Sequence, residues 1–270
     1  MITARKLQVN EQQIEFMEGM KVGDLLASTK PDADLFIVNG YPVSADTPLQ
    51  DGDSCCLIKR GETPSADEMQ CLLVARHSPG VHEKARLATV GIMGLGGLGS
   101  PVAIALARIG IARLLLADFD VVEPSNLNRQ QYFVDQIGMN KTAALKENLS
   151  RINPYVHVDL VEEKLTEENI PHYFKNVDVL AECFDNPTMK AGALRAVRLN
   201  MPDTAYVGAS GMAGYGDNNT IRTREIFPHV FLVGDGESAA GAGQGLMAPR
   251  VGVVAHHQAN QILRIILDET

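Results

Sequence analysis

The sequence of 270 residues lacks several features, and each absence excludes a class of protein. No apolar run is long enough to span a bilayer, and the longest, such as residues 114–117, have the length of strands. Residues 1–13 contain no apolar stretch of the kind found in signal peptides. Positive charge is also scarce: the formal net charge is −9, whereas a nucleic-acid surface needs clustered Lys and Arg. We therefore expect a cytoplasmic protein that binds neither a membrane nor a nucleic acid.

Cysteine is rare as well. The four cysteines are Cys55, Cys56, Cys71 and Cys183, and no two of them form a C-x-x-C pair. A chain of this size does not need disulfides for its stability. We therefore expect reduced and mostly buried thiols.

The first 61 residues read as short strands around one helix. An amphipathic helix is predicted at 21–28, and the turn dipeptide Asn39-Gly40 follows an apolar strand. The order ββαββ predicts a small β-grasp, ubiquitin-like domain, although an unrelated small β domain would give a similar pattern. The predicted strands are 2–9, 12–16, 35–38 and 54–59.

Residues 62–88 form a predicted connector with one helix at 67–75. From residue 89 to residue 270, strands and helices alternate, which is typical of an α/β domain with a parallel sheet covered on both faces. The predicted strands are 89–93, 113–117, 157–161, 177–183 and 205–208. The predicted helices are 97–108, 140–151, 167–175, 188–200 and 249–267.

A glycine-rich loop connects the first strand and helix of this second domain. Gly94, Gly96, Gly97 and Gly99 fit the pattern G-x-G-x-x-G in the strand–loop–helix context that the motif requires. Glycines let the backbone approach a phosphate chain, and the helix N-terminus supplies free N–H groups. Asp118 ends the next strand, where a carboxylate can bind a ribose hydroxyl. These residues predict a bound nucleotide but do not distinguish NAD from ATP.

The following segment favours ATP. Arg129 and Lys141 come after the glycine loop, and an NAD-dependent oxidoreductase has no evident use for this pair of cations. Attack on the α-phosphate of ATP, by contrast, spreads negative charge that a guanidinium, an ammonium and a metal can stabilise. A carboxylate nucleophile is already ionised and needs no general base. The residues therefore favour adenylation of a carboxylate.

Several motifs together resemble the ThiF/MoeB adenylyltransferases, which are relatives of the ubiquitin-activating enzymes. The likeness covers roughly residues 75–270 and implies a Rossmann-like nucleotide-binding fold of the ubiquitin-activating-enzyme type. The motifs that carry it are residues 94–99, Asp118-Phe119-Asp120, residues 125–130, Lys141 and Asp185-Asn186.

This resemblance implies a role for each matching residue. Asp118 would bind the ribose of ATP, and Asn126, Arg129 and Lys141 would contact the phosphates. Asp185 would hold Mg²⁺, in keeping with its place after a strand, since ligands of open α/β sheets bind beyond the carboxyl ends of strands. A helix N-cap is the alternative role for Asp185.

The resemblance extends to oligomeric state and pathway. Arg76 resembles an arginine that such enzymes insert into the active site of a partner, which implies a homodimer. Residues 76–81, 209–216 and 245–252 resemble the ThiF branch of thiamine biosynthesis. Proteins of this branch can carry a degenerate ThiS-like domain at the N-terminus, in keeping with residues 1–61.

Two departures from the family pattern limit what it implies. Many relatives hold a structural zinc with two C-x-x-C pairs, and because this chain has neither pair we expect no zinc. Other relatives have a nucleophilic cysteine in the crossover loop, but residues 234–245 contain none. Cys183 lies in a predicted strand and fits the core better than a nucleophilic role. The chemistry is therefore expected to stop at the acyl adenylate.

The substrate implied by the resemblance is a separate ThiS-like carrier that ends in Gly-Gly. The N-terminal domain is not itself the substrate, because its last strand continues as Lys59-Arg60-Gly61 with one glycine and no free carboxylate. Alternatives are a molybdopterin-type carrier, a tRNA dehydratase-like reaction, which the acidic balance disfavours, and a non-catalytic carrier-binding module.

Overall fold

The computed structural model describes residues 5–269, and the chain divides into two compact units between His82 and Glu83. This division falls inside the connector predicted for residues 62–88. Residues 2–4 of the first predicted strand lie outside the described part of the chain. Each unit has its own sheet and its own core.

The first unit is a β-grasp. Its five-stranded sheet has the order β2-β1-β5-β3-β4, with β1 and β5 parallel and the outer strands antiparallel. The elements are β1 (Lys6–Val9), β2 (Gln12–Glu15), a 3-10 turn (Val22–Leu25) continuing as α1 (Leu26–Thr29), β3 (Leu35–Val38), β4 (Tyr41–Val43), β5 (Ser54–Ile58) and α2 (Ala66–Val74). The ubiquitin-like prediction is thus confirmed, and β4 is a strand that the sequence pattern missed.

Apolar side chains pack on both faces of this sheet. Successive side chains of a strand point to opposite faces, and in β5 Cys55 and Leu57 pack in one cluster while Cys56 and Ile58 pack in another. The first cluster contains the buried side chains of the 3-10 turn at Val22–Leu25, and the second contains side chains of α2.

A disulfide between Cys56 and Cys71 joins α2 to β5. The expectation of four reduced thiols is wrong for this pair. Packing of α2 on the sheet brings the two sulfurs together, and the spacing of the two cysteines in the sequence does not predict that contact. Cys55 and Cys183 are free and buried, as expected.

The second unit contains a seven-stranded sheet of order β11-β12-β10-β9-β6-β7-β8. All neighbouring strands are parallel except β11 and β12. The strands are β6 (Thr89–Met93), β7 (Arg113–Ala117), β8 (His157–Val161), β9 (Val179–Glu182), β10 (Ala205–Ala209), β11 (Arg222–Phe227) and β12 (Val230–Gly234). The predicted α/β fold is confirmed, with the correction that the sheet has an antiparallel edge.

Helices cover both faces of this sheet, as predicted. One core contains buried side chains of α4, α5 and α8, and the other contains those of α6 and α7. The helices are α3 (Val81–Ala85), α4 (Gly99–Ile109), α5 (Lys141–Ile152), α6 (Ile170–Phe174), α7 (Pro187–Asn200) and α8 (Ala248–Ile266). No helix within residues 5–269 is long and apolar enough to cross a membrane.

The strand order reverses between β6 and β9. From β6 the chain passes to β7 and β8 on one side, and it then returns to place β9 on the other side of β6. In open α/β sheets, ligands bind at such a switch point, beyond the carboxyl ends of the strands. The loops after β6 and β9 therefore mark the place to look for a site.

Candidate functional site

The glycine loop after β6 turns the chain sharply into α4. Gly94 has φ +88°, a left-handed conformation that favours glycine. Its N–H donates to the carbonyl of Ala117 at 2.8 Å, which ties the loop to the end of β7. A Cβ at Gly99 would overlap the carbonyl oxygen of Gly94. The loop thus places the N-terminus of α4, with its free N–H groups, at the switch point.

Asp118 lies directly beside this loop. One carboxylate oxygen accepts the N–H of Leu95 at 2.7 Å, and the other accepts the N–H of Asp120 at 2.9 Å. Burial raises the pKa of Asp118, while the charge of Lys141 and the two backbone hydrogen bonds act in the opposite direction. A carboxylate has further lone pairs, so this side chain can still accept a hydrogen bond from a ligand hydroxyl.

Residues 129–132 run along the glycine loop. The stem of Arg129 lies against Gly97, where an added Cβ would be 3.3 Å from the arginine Cγ. The hydroxyl of Ser100 donates to the carbonyl of Gly96 at 2.7 Å and accepts the N–H of Gln131 at 3.0 Å. These contacts bring Arg129, predicted to bind phosphate, beside the glycines predicted to cradle phosphate.

Tyr132 contacts the same region through its hydroxyl. It is buried, and its hydroxyl donates to the carbonyl of Leu95 at 2.8 Å, with the carbonyl of Lys141 at 3.4 Å. Burial raises the pKa of this phenol, which remains protonated and able to donate. Sequence reasoning gave Tyr132 no role, although its place directly after the 125–130 motif was a signal.

Lys141 is the first residue of α5 and is buried. Its Nζ donates to a carboxylate oxygen of Asp120 at 2.9 Å. An ammonium has three donors, so two remain for a ligand. Asp120, which sequence analysis mentioned only within a motif, therefore holds the lysine next to Asp118.

Asn126 is also buried, and it caps its own turn. Its side-chain oxygen accepts the N–H of Glu123 at 3.1 Å. The contact of Asn126 with phosphate stays a prediction. What the structure shows is that this amide stabilises the turn that precedes Arg129.

Asp185 follows β9 on the other side of the switch point. The end of β9 touches the glycine loop, because a Cβ at Gly94 would be 3.0 Å from the carbonyl oxygen of Cys183. Asn186, and not Asp185, caps α7 by accepting the N–H groups of Thr188 and Met189. The N-cap alternative for Asp185 is therefore wrong, and this exposed carboxylate forms no hydrogen bond or ion pair within residues 5–269.

A carboxylate with free lone pairs near a loop predicted to bind phosphate suits Mg²⁺, which usually keeps several waters and takes one or two protein carboxylates plus substrate phosphates. No group of three or more His, Cys, Asp or Glu side chains that could enclose a metal occurs within residues 5–269. Asp185 therefore fits a metal that arrives with its nucleotide.

Sequence analysis missed an ion pair near Asp185, between the buried Glu182 and the partly exposed Lys190. Glu182 is 1% exposed, and Lys190 donates to both of its oxygens at 2.8 and 3.1 Å. Lys190 also donates to the carbonyl of Ala209 at 3.0 Å, so it links the ends of β9 and β10. A charged residue within the apolar run of β9 was the available signal, because a buried charge requires a partner.

A second ion pair anchors the crossover loop at 234–245. Asp235 pairs with the buried Arg250 at 2.8 Å, and Arg250 also donates to the carbonyls of Gly216 and Asp217. At the far end of the loop, the carbonyl of Gly245 accepts an N–H from residue 214. The loop is thus fixed at both ends, while its middle is exposed.

The remaining predicted site residue, Arg76, belongs to the first unit. It is exposed and lies directly after α2. Cys183 is buried, and burial raises the pKa of its thiol, so it is poorly suited to act as a nucleophile.

Known proteins are similar to this chain in sequence. At 33% identity over 191 residues, the chain resembles the adenylyltransferase and sulfurtransferase UBA4 of Eremothecium gossypii, with 68% of this chain and 42% of that protein covered. It is 27% identical to a molybdopterin-synthase adenylyltransferase of Haemophilus influenzae over 68% of this chain and 77% of that protein. The chain therefore spans less than half the length of the fungal relative.

Solved structures show the same fold. The E. coli tRNA N6-threonylcarbamoyladenosine dehydratase TcdA, solved in complex with ATP, matches with a TM-score of 0.68 and 22% identity, covering 77% of this chain and 98% of that one. Residues 6–61 match the ThiS-like ubiquitin family. Because residues 70–270 match the ThiF family, with a glycine loop, Asp118, Arg129, Lys141 and Asp185 gathered at one sheet edge, this chain belongs to the ThiF family.

Proposed function

We propose that this chain binds ATP and adenylates the C-terminal glycine carboxylate of a separate ThiS-like carrier protein. The observation that carries the proposal is the gathering of an anion-binding loop, two cations and a free carboxylate at the switch point of one sheet. The relatives in the two curated comparisons are named adenylyltransferases, which agrees with this chemistry.

Each residue of the site suits one part of ATP. The N-terminus of α4 and the glycine loop favour the phosphate chain, and Asp118 can accept a ribose hydroxyl. Arg129 and Lys141 supply positive charge where negative charge grows as the carrier carboxylate attacks the α-phosphate and pyrophosphate leaves. Mg²⁺ held by Asp185 would neutralise phosphate charge when bound.

The crossover loop contains no cysteine that could attack an adenylate. Residues 234–245, held by the ion pair of Asp235 with Arg250, have none. Cys183 is buried. We propose that the product is the acyl adenylate, with no covalent acyl-enzyme.

The finer assignment is to thiamine biosynthesis. It is supported by the match of residues 6–61 to the ThiS-like ubiquitin family and by the resemblance of residues 76–81, 209–216 and 245–252 to the ThiF branch. A molybdopterin-type carrier is the second candidate, since one relative is named for molybdopterin synthase. We further propose a homodimer in which Arg76 completes the partner's site.

ATP–pyrophosphate exchange tests the proposal. Full-length protein, Mg²⁺ and ATP are incubated with a ThiS-type or a molybdopterin-type carrier ending in Gly-Gly, and exchange is expected only with a carrier present. Arg129→Ala should lower the rate by about 10²-fold or more, the scale for losing one transition-state donor. Arg108→Ala, an exposed arginine at the end of α4, is the matched control. Normal exchange in both Arg129→Ala and Asp185→Ala would refute the site.

A further inference from the structure

Gln130 is a buried residue of the site for which the proposed chemistry has no role so far. It is 7% exposed, yet its side-chain Oε1 has no hydrogen-bond partner. None of the side-chain hydrogen bonds within residues 5–269 involves its Nε2 either. A buried acceptor without a partner is destabilising by about 1–3 kcal/mol, and native proteins rarely contain one. Such a group calls for a functional explanation.

The place of Gln130 supplies that explanation. The Nε2 atom would be 3.6 Å from a Cβ at Gly96, so the amide faces the middle of the glycine loop. The next residue is fixed there by Ser100, whose hydroxyl bridges the Gly96 carbonyl and the Gln131 N–H. On the other side, the stem of Arg129 lies on Gly97. Consecutive residues of one segment therefore lie on consecutive glycines of the other.

The chemistry of the amide suits an anion at this point. The Nε2 group carries two N–H donors, and Nε2 is the one atom recorded within 4 Å of a Cβ at Gly96. A neutral donor next to Arg129 adds a directed hydrogen bond without adding charge.

We propose that the side-chain amide of Gln130 donates a hydrogen bond to the phosphate chain of the bound nucleotide at Gly96. The inference rests on the proposed function, since it names a further contact in the same ATP site. It assigns Gln130 a part in binding and not in packing.

Nucleotide binding by calorimetry, with full-length protein and no carrier, separates these roles. Gln130→Met keeps the size of the side chain and removes both amide groups. We expect it to bind ATP about 10-fold more weakly, the scale for one hydrogen bond to a charged group. Adenosine, which lacks phosphate, should bind the variant as it binds the wild type. The melting temperature should stay equal or rise, because an unpartnered buried carbonyl oxygen has been removed.

Gln130→Glu and Gln12→Glu form a matched pair. The first places a carboxylate at the phosphates and should weaken ATP binding by about 10- to 100-fold. The second makes the same change at an exposed glutamine of the first unit and should leave the affinity for ATP unchanged. The inference is overturned if Gln130→Met binds ATP as tightly as wild type, or if its affinities for ATP and for adenosine fall by the same factor. Failure of the wild type to bind ATP would instead refute the proposed function itself.

Discussion

Removing the cation that pairs with Glu182 tests how the switch point is stabilised. Glu182 is almost fully buried at the end of β9, and Lys190 donates to both of its carboxylate oxygens. The backbone N–H of Phe184 donates to the same carboxylate at 2.7 Å. Lys190→Met keeps most of the lysine stem but leaves the carboxylate buried without its cation.

The expected loss follows from the burial of the pair. Breaking a buried ion pair by removing one partner is destabilising by about 3–5 kcal/mol. We expect the lower end, about 3 kcal/mol, because 23% of the Lys190 side chain is exposed and water can reach it. For a domain of 150–250 residues, each kcal/mol lowers the melting temperature by about 2–4 °C, which gives about 6–12 °C here.

The loss should also depend on pH. Burial raises the pKa of Glu182, and the charge of Lys190 opposes that rise. A carboxyl group with a raised pKa in the folded state favours folding when it is protonated, and this contribution is lost as pH rises through the folded pKa. Without Lys190 the pKa rises further, so the penalty at neutral pH grows. The difference between variant and wild type should therefore be larger at about pH 8 than at about pH 5.

Thermal unfolding by calorimetry at both pH values measures these effects. Lys146→Met, which removes an exposed lysine from α5, is the control and should leave the melting temperature unchanged. Glu182→Gln combined with Lys190→Met should recover much of the loss, because no buried charge remains unpaired. An unaltered melting temperature in Lys190→Met, or a loss independent of pH, would refute the role assigned to the buried carboxylate.

Denatured, unreduced protein should show two reactive thiols, and four after reduction, because Cys56 and Cys71 are joined; four thiols before reduction would contradict the disulfide. Burial raises the pKa of Asp235, but hydrogen bonds from Ser238 and Arg250, among others, outweigh burial and hold the pKa below its usual range. The ionised carboxylate therefore stabilises its loop at neutral pH, and this stabilisation decreases as the pH falls. Asp235→Asn should therefore speed limited proteolysis within residues 236–246, and unchanged cleavage would argue against the anchor. Elemental analysis should find no stoichiometric zinc; one zinc per chain, retained after chelation, would show that the missing cysteine pairs were misinterpreted. If Arg76 acts across a dimer, a heterodimer of Arg76→Ala and Asp185→Ala chains should recover up to about half of wild-type exchange while each mutant homodimer stays inactive; an inactive heterodimer would remove this role.

Periodicity predicted the elements that position the site. The strands at 89–93, 113–117 and 157–161 and the strand at 35–38 have the predicted bounds. These strands are short apolar runs bounded by clear turn signals, so local pattern and tertiary structure agree. Asn39 and Gly40 both have positive φ, as the predicted hairpin turn requires.

Of the three missed strands, β4 and β11 carried weak local signals, whereas β12 is a buried apolar run whose signal was missed. In β11 most side chains are exposed, and its charged residues read as a loop. Its turn into β12 has His229 at φ +62°, where a glycine or asparagine would have marked the hairpin. The short β4 contains Pro42, which an edge strand tolerates but which argues against a strand in sequence.

The site residues, too, were predictable only in part from the sequence. Motifs that follow strands, such as the glycine loop and Asp118, could be located because the carboxyl ends of parallel strands meet at one edge. Partnerships formed through tertiary packing could not. Lys190 pairs with Glu182 from the first turn of α7, and Asp120 pairs with Lys141 from the neighbouring loop. No rule of sequence spacing predicts either pair.

On the face of the sheet opposite the 3-10 turn, α2 restricts what the first unit can offer to other molecules. A two-layered β-grasp leaves one side of its sheet to solvent, as a flat surface on which another protein can lie. Here α2, joined through Cys56 and Cys71, packs on β3 and β5 at that side. On the same side of β1, Lys6 and Gln8 are exposed, and the neighbouring β2 is an outer strand with unpaired backbone groups. A partner that approached this side would therefore find β3 and β5 occupied, and recognition by strand addition at β2 would remain possible.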